Sequence, residues 1–459
     1  MQKCEDSVIC GFIVNIRIQL HEGHISSKIK VIFVTFNLRS GMDKKTILVW
    51  FRNDLRIHDN EILLRAVERS QTIVPVYCFD PRYFVDTKFG TQKTGVLRAA
   101  FLRENVAALR QDLRALGGDL IIIQGYPEKL LPQIAEKYNV DEVYHHREVA
   151  DEETKISAFV EAALWKMQIN LRHFIGHTLY HKEDLPFPIK DIPNAFATFR
   201  KKTERESGIR PELGRPDAIR IPEEMDVGHL PDLSELGFGK AAIEHAGSLH
   251  LRGGEHVALE HMNTFLYAGD HEALAYSRLS PYLAIGALSP NTFYHAIKNA
   301  ESTLLDRKRV EQVILKLLWR DYYRFMFKKH GNQFFQEGGM TGVPPETIAD
   351  DQKLFDQWKA GNTGHPIVDS SMKTLNDTGY ITHHQRVIVA TYLIYQLKVN
   401  WLKGAAWFEE KLLDYGPASN YGSWAHAAGV GSSVKDNKPA DIKKLSAQFY
   451  PKEALALGN

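Results

Sequence analysis

What most constrains this chain is a strict alternation of two hydrophobic periods between residues 46 and 174. Short apolar runs come first in each repeat: ILVWF (47–51), TIVPVYCF (72–79), DLIIIQG, DEVYHH and INLRHF. Each is too short for a buried helix and is bounded by turn residues, so each reads as a strand. Between them lie helical stretches. One places Ile62, Leu63, Ala66 and Val67 on one face, and another runs from Gly95 to Leu116 and stops at Gly117-Gly118. PEKLLPQIAEKY and EETKISAFVEAALWKM complete the series. Apolar strands alternating with helices predict a parallel, doubly wound α/β sheet with both faces covered.

A chain of 459 residues is long enough for more than one domain. The α/β domain is predicted over 43–175. Residues 176–250 are Pro-rich (DLPFPIKDIPNAF, GIRPELGRPDAIRIPEE) and read as an irregular interdomain connector on the surface. Over 251–459 helical periodicity dominates, as in RVEQVILKLLWRDYYRFMFKKH, and an all-helical domain is expected. Residues 1–41 hold two strand-like runs, IVNIRIQL and VIFVTF, ahead of Met42. They read as an appended tail or a misplaced start, and no function is assigned to them.

Several function classes are disfavoured. The net charge is +1, which is not that of a histone-like polyanion binder, although a local basic groove is compatible with it. Three cysteines (Cys4, Cys10, Cys78) form no C-x-x-C pair, so a reducing, cytoplasmic setting without a thiolate metal site is expected. No apolar run of about 18 residues occurs, so no membrane span is predicted. The turn after the first strand, RNDLRIHDN, lacks the glycines of a dinucleotide-binding loop. His145-His146 and His383-His384 lack the i, i+4 spacing of a helical zinc site.

The helical half carries more chemistry. YSRLSPYLAIGALSP (276–290) offers Ser277, Arg278 and Ser280 before a Pro-started helix. Hydroxyls, a guanidinium and free helix amides suit phosphate, and they equally suit a plain N-cap. LLWRDYYRF sets Trp319 beside Arg320, and HHQRVIVATYLIYQLKVNW holds Arg386 and Trp401. Read singly, both tryptophans serve as core. DYGPASNYGSWAHAAGVG (414–431) is small, polar and aromatic at once, which makes poor packing material.

In series these stretches, with WFRNDLRIHDNEIL and GNTGHPIVDSSMKTLNDTGY, resemble the photolyase/cryptochrome flavoprotein family over nearly all the chain from Met42. SNYGSW…AGVG and TLYHKEDLPFPIKDIPNAFATFRK are most similar to the DASH-type cryptochromes. The resemblance implies an α/β antenna domain and a helical domain holding FAD. It implies light-driven electron transfer from reduced FAD to cyclobutane pyrimidine dimers, mainly in single-stranded DNA, or blue-light signalling without repair. It assigns Asn420 to the flavin N5, Asp414 and Arg386 to an ion pair beside the ring, and Gly416 to the same wall. Ser277, Arg278, Leu279 and Ser280 match the phosphate loop, and Arg320 matches a flavin-contact arginine. Trp424 and Trp401 match the proximal and middle members of an electron-delivering chain. Asn420, Trp424, Trp401 and Trp319 form the implied catalytic set. Glu148 matches a carboxylate that contacts a 5,10-methenyltetrahydrofolate antenna, and equally suits a solvated helix start. A monomer acting on single-stranded or damaged DNA, with no membrane partner, is expected.

The departures from the family cluster where substrate should lie. Lys316 replaces a Glu that accepts bonds from damaged bases. His383-His384 replaces an Asn-Arg pair, and His426 replaces an aromatic residue on which a flipped base stacks. With Trp319 these residues line the implied substrate pocket. The distal tryptophan of the electron chain falls near Ile348, where no Trp stands, and Tyr276 stands where a hydroxyl residue is common.

Overall fold

The computed structural model describes residues 45–267, 277–301, 307–347, 352–432 and 439–449. The segment 1–41, Tyr276 and Ile348 lie outside the described residues. Five strands, β1 (Thr46–Phe51), β2 (Thr72–Phe79), β3 (Ile121–Gln124), β4 (Glu142–His146) and β5 (Asn170–Phe174), form one parallel sheet in the order β3-β2-β1-β4-β5. Four helices cross over between them: α1 (Glu61–Arg69), α2 (Val96–Ala115), α3 (Pro127–Lys137) and α4 (Asp151–Trp165). Alternate residues of a strand face opposite sides. Leu48 and Trp50 pack on α3 and α4, while Ile47, Val49 and Phe51 join a core that runs on into the helical half.

After Phe174 no strand occurs among the described residues. The helices are α5 (Phe196–Glu206), α6 (Lys240–Ala246), α7 (Glu255–Tyr267), α8 (Ser280–Ile285), α9 (Pro290–Glu301) and α10 (Arg307–His330). They continue as α11 (Gln352–Ala360), α12 (Pro366–Thr378), α13 (His383–Thr391), α14 (Trp401–Lys411), α15 (Pro417–Ala427) and α16 (Ile442–Phe449). The stretch 176–250 is less irregular than its prolines predict. Phe196, Phe199 and Thr203 share one buried face, and that face makes α5 an amphipathic helix. The same stretch also hydrogen-bonds the sheet, with Ile73 N on Arg220 O at 2.8 Å and Ile122 N on Val227 O at 2.9 Å.

RNDLRIHDN proves to be the joint between the sheet and the helices. Asp54, Arg56 and Asn60 are buried, and Arg56 Nη1 donates to Gly286 O at 3.0 Å. Glu255 of α7 accepts from Ile57 N (2.7 Å) and His58 N (3.1 Å). Gly286 has φ +74°, and a Cβ there would lie 1.9 Å from Asn53 O, so only glycine closes this joint. Asp321 of α10 similarly accepts from Leu179 N and Tyr180 N at 3.0 and 2.8 Å.

Candidate functional site

Two helices converge on Asp414, which stands just ahead of α15. Its Oδ2 accepts from Arg386 Nη2 of α13 at 2.8 Å and from Ser280 Oγ of α8 at 2.6 Å. Arg386 is held in turn by Ile381 O at 2.9 Å and lies over the Tyr380 ring. The other carboxylate oxygen, Oδ1, is buried and has no partner. A buried carboxylate oxygen is costly to leave unbonded, so this atom marks a wall built for a ligand. Gly416 caps α15, whose first residue is Pro417, a placement the fixed φ of proline favours. One turn on, Asn420 is buried, and its Nδ2 donates to Ala405 O of α14 at 2.9 Å. That bond fixes the amide and turns Oδ1, which accepts nothing among the described residues, away from α14. Ser277, Arg278 and Leu279 lead into α8, and Arg278 adopts φ +47°. Positive φ in a non-glycine residue requires support from its surroundings. Leu279 is fully buried and supplies an anchor.

Arg320 sits differently from the others. Its guanidinium donates to Leu283 O at 3.0 Å and to His177 O, and so ties α8 to the chain leaving the sheet. Burial lowers its pKa to about 10, with Arg324 repelling it further.

Trp424 and Trp401 are both buried. Trp401 Nε1 donates to Glu337 O at 2.9 Å. Among the described residues the rings in contact with Trp424 are Phe408 (5.1 Å between centroids) and Trp358 (6.2 Å), not Trp401. Nothing in the sequence singles out Trp358. It lies in α11, is fully buried, and donates Nε1 to Val389 O at 3.1 Å. The signal available was an indole on the apolar face of QKLFDQWKA, which is also what any core tryptophan shows. Gly404 lets α14 lie against Trp424, since a Cβ there would meet the ring at 2.3 Å.

A cavity of about 500 Å³ opens at the carboxyl ends of the strands. Arg52 and Asn53 after β1, and Glu148 after β4, line it from one side, and Arg324, Leu413 and Gly416 from the other. The chain reverses its winding between β1 and β4, which is where open α/β sheets place ligands. Glu148 is buried and not solvated: Asn53 Nδ2 donates to Oε1 and Arg324 Nη2 to Oε2, each at 2.9 Å. Burial raises the carboxyl pKa, but neighbouring His177, Arg324 and Arg52 carry it well below the usual range. Burial also keeps His177 itself well below its ordinary value, so Arg324 supplies the working charge. Arg324 was missed in the sequence, although it stands one helical turn after Arg320.

The residues that depart from the family meet at a rim. Lys316 and Trp319 come from α10, His383 and His384 from the start of α13, and His426 from α15, against which both other helices pack. Trp319 presents little free surface for stacking. Phe196 of α5 lies on it with centroids 3.7 Å apart and planes 11° from parallel, and Tyr323 and His426 follow at 5.4 and 6.0 Å. The void among Trp319, Tyr323, Gly422 and His426 is about 10 Å³, roughly the space of one water. Phe196 stands in the quoted DIPNAFATFRK string, yet nothing local marks it as a neighbour of Trp319.

Fold and site together define a photolyase-type flavoprotein. The DNA photolyase family model matches residues 47–217, and the FAD binding domain of DNA photolyase matches 313–448. The chain is 37% identical to Cryptochrome DASH of Gloeobacter violaceus over 422 residues, covering 89% of this chain and 84% of that protein. It is also 37% identical to Cryptochrome DASH, chloroplastic/mitochondrial, of Solanum lycopersicum, covering 89% and 75%. The solved Synechocystis sp. PCC6803 cryptochrome superposes with a TM-score of 0.82 at 36% identity, covering 89% of this chain and 87% of that one. This chain belongs to the photolyase/cryptochrome family, with DASH cryptochromes among its relatives, and FAD is its cofactor. The orphaned Asp414 Oδ1 and the oriented Asn420 amide fit that cofactor. No described helix is long and apolar enough to cross a membrane.

Proposed function

We propose that this protein is a blue-light flavoprotein of the DASH kind that binds single-stranded or damaged DNA and splits cyclobutane pyrimidine dimers in it. The single observation that carries this reading is the Ser280–Asp414–Arg386 network, with Asn420 presented one turn away. Bound FAD supplies light absorption and one-electron donation. The chain supplies the rest. Asp414 and Arg386 hold charge at a fixed place, Asn420 offers an amide oxygen to the ring, and Ser277, Arg278, Leu279, Ser280 and Gly416 form the walls. Trp424 passes electrons inward, with Trp401 and Trp358 behind it. Glu148, in the 500 Å³ cavity, contacts a folate antenna such as 5,10-methenyltetrahydrofolate. The protein acts as a cytoplasmic monomer.

The test is a repair assay. Chemically reduced, FAD-loaded protein is mixed with thymine-dimer oligonucleotide, single- or double-stranded, and dimer loss is followed in blue light and in the dark. Light-dependent loss, faster on the single strand, is expected. A second reading, a blue-light photoreceptor without repair, is favoured by Phe196 on Trp319. No dimer loss from fully loaded protein would select it.

A further inference from the structure

Six carboxylates line the strand-end cavity, and four of them are already bonded. Asp80 is held by Arg82 Nη2 and Glu152 by Lys93 Nζ, each at 2.6 Å. Glu409 accepts from Tyr421 Oη at 2.8 Å. Glu148 accepts from Asn53 on one oxygen and from Arg324 on the other. Asp86 is exposed and belongs to the surface. Glu153, in the first turn of α4, stands apart from these. Its carboxylate forms no hydrogen bond or ion pair with another residue among the described ones, and only its own backbone N–H comes near. Its oxygens are not sealed in protein, so they open into the cavity. Arg52 reaches this residue but donates to its carbonyl, from Nη1 at 3.4 Å and Nη2 at 3.5 Å, and from Nη1 to Ser157 Oγ at 3.0 Å. Those bonds fix the first turn of α4 and leave the carboxylate free to meet a ligand. Tyr83 and Tyr415 lie within its field and are also walls of the cavity. Aromatic walls with an acceptor at the edge suit a planar heterocycle, and about 500 Å³ is an ordinary volume for one.

We propose that Glu153 reads the edge of the ring bound in this cavity and selects one that presents two adjacent N–H donors, as the 2-amino-4-oxopteridine of a folate does, over the imide edge of a flavin. This rests on the reading that the cavity takes an antenna. An ionised carboxylate only accepts hydrogen bonds, and its two oxygens match a pair of parallel donors. An imide edge alternates carbonyl, N–H and carbonyl, so a carbonyl oxygen would face a carboxylate oxygen with no proton between them. A site that leaves such a pair buried and unbonded rejects that ligand. Glu148 keeps the wall in place by holding Arg324, and Glu153 does the discriminating. The charge on Glu153 responds to the ligand. Burial pushes its carboxyl up to about 7, Glu148 and Glu152 add to the rise, and its own N–H and Arg52 oppose it. Tyr83 and Tyr415 are the other titratable groups beside it, and burial keeps both neutral. Two donors favour the ionised form, so binding expels part of a proton at pH 7. Affinity for such a ring therefore rises with pH through 7 and levels off above it. Below 7 the protonated carboxyl offers a donor as well, and the preference narrows.

The experiment is isothermal titration calorimetry of FAD-loaded protein with 5-formyltetrahydrofolate and with riboflavin, at pH 8 and at pH 6. The wild type is expected to prefer the folate by on the order of tenfold at pH 8 and by less at pH 6. Glu153→Gln replaces one acceptor by a donor, which matches an imide edge and mismatches a donor pair. It should weaken folate binding about tenfold, strengthen riboflavin binding and abolish the pH dependence. Glu153→Asp keeps the carboxylate and should keep the preference at lower affinity, which separates recognition from a folding defect. Folate affinity of Glu153→Gln within about twofold of the wild type overturns the proposal and leaves the folate reading of the cavity standing. Loss of the preference in Glu153→Asp, with flavin content intact, overturns it as well. A wild type that binds riboflavin and not the folate, or that binds neither, overturns both the proposal and the folate reading.

Discussion

The wall at Asp414 and the rim at Lys316 share helices α13 and α15 but are built on opposite principles. At the wall Asp414 and Arg386 are paired before a ligand arrives, and one buried carboxylate oxygen is left without a partner. At the rim, Lys316, His383, His384 and His426 from three helices lie close enough to repel one another. Matched charges fix geometry in advance, which suits a cofactor that must be held in one orientation. Basic groups set close together repel one another, so the rim is held by its helices and not by its own charges.

The sharpest way to break this contrast is Asp414→Ala. It strands Arg386 and Ser280, and loss of a partner from such a buried pair costs about 3–5 kcal/mol. Purified protein should carry little flavin, read as the ratio of flavin to protein absorbance, and should melt lower. Full flavin occupancy would show that the wall is not the cofactor's.

Next comes Glu148→Gln, which removes the counter-charge of Arg324 in the strand-end cavity and should cost about 3 kcal/mol in urea unfolding. The pH dependence has a defined sign. Glu148 has its folded pKa held well below the unfolded value of about 4.3, so its contribution is complete above that value. The contribution is lost as pH falls through the folded pKa. The variant should therefore show a shallower loss of stability on the acid side than the wild type.

Trp358→Phe leaves Val389 O without its indole donor, a loss of about 1–3 kcal/mol. It should also slow light-driven flavin reduction to a degree comparable with Trp401→Phe, because Trp358 is the indole in ring contact with Trp424. Flash photolysis of the two variants checks this, and an unslowed Trp358→Phe would reduce that contact to packing. Gly404→Ala drives a methyl into the Trp424 ring and should cost about 1–3 kcal/mol, with a change in near-UV circular dichroism. At the rim, Lys316→Glu should leave thermal stability within about 0.5 kcal/mol, because an exposed side chain without a structural role contributes little to folding.

Legibility in the sequence differed by element. The strands were legible because burial on both faces demands uninterrupted apolar runs, and ILVWF and TIVPVYCF each became a strand. RNDLRIHDN was legible only as something other than a phosphate loop. Its buried Arg56 makes sense only beside Gly286, and its buried Asp54 only beside His146, both far along the chain. Arg386 and Asp414 were paired through family resemblance, and the structure adds Ser280 to them. Phe196, Trp358 and Arg324 carried no local mark. An aromatic or basic residue on an amphipathic helix looks the same whether its neighbour is core, cofactor or substrate.

The sequence by itself determined the parallel α/β sheet, the helical half and the family, because hydrophobic periodicity and motif spacing are properties of neighbouring residues. Tertiary structure alone decided that Phe196 covers Trp319, that Glu148 faces Arg324, and that Trp424 meets Trp358. Each of these depends on how helices distant in sequence cross. Crossing is set by the interlocking of whole side-chain surfaces, which no single segment contains.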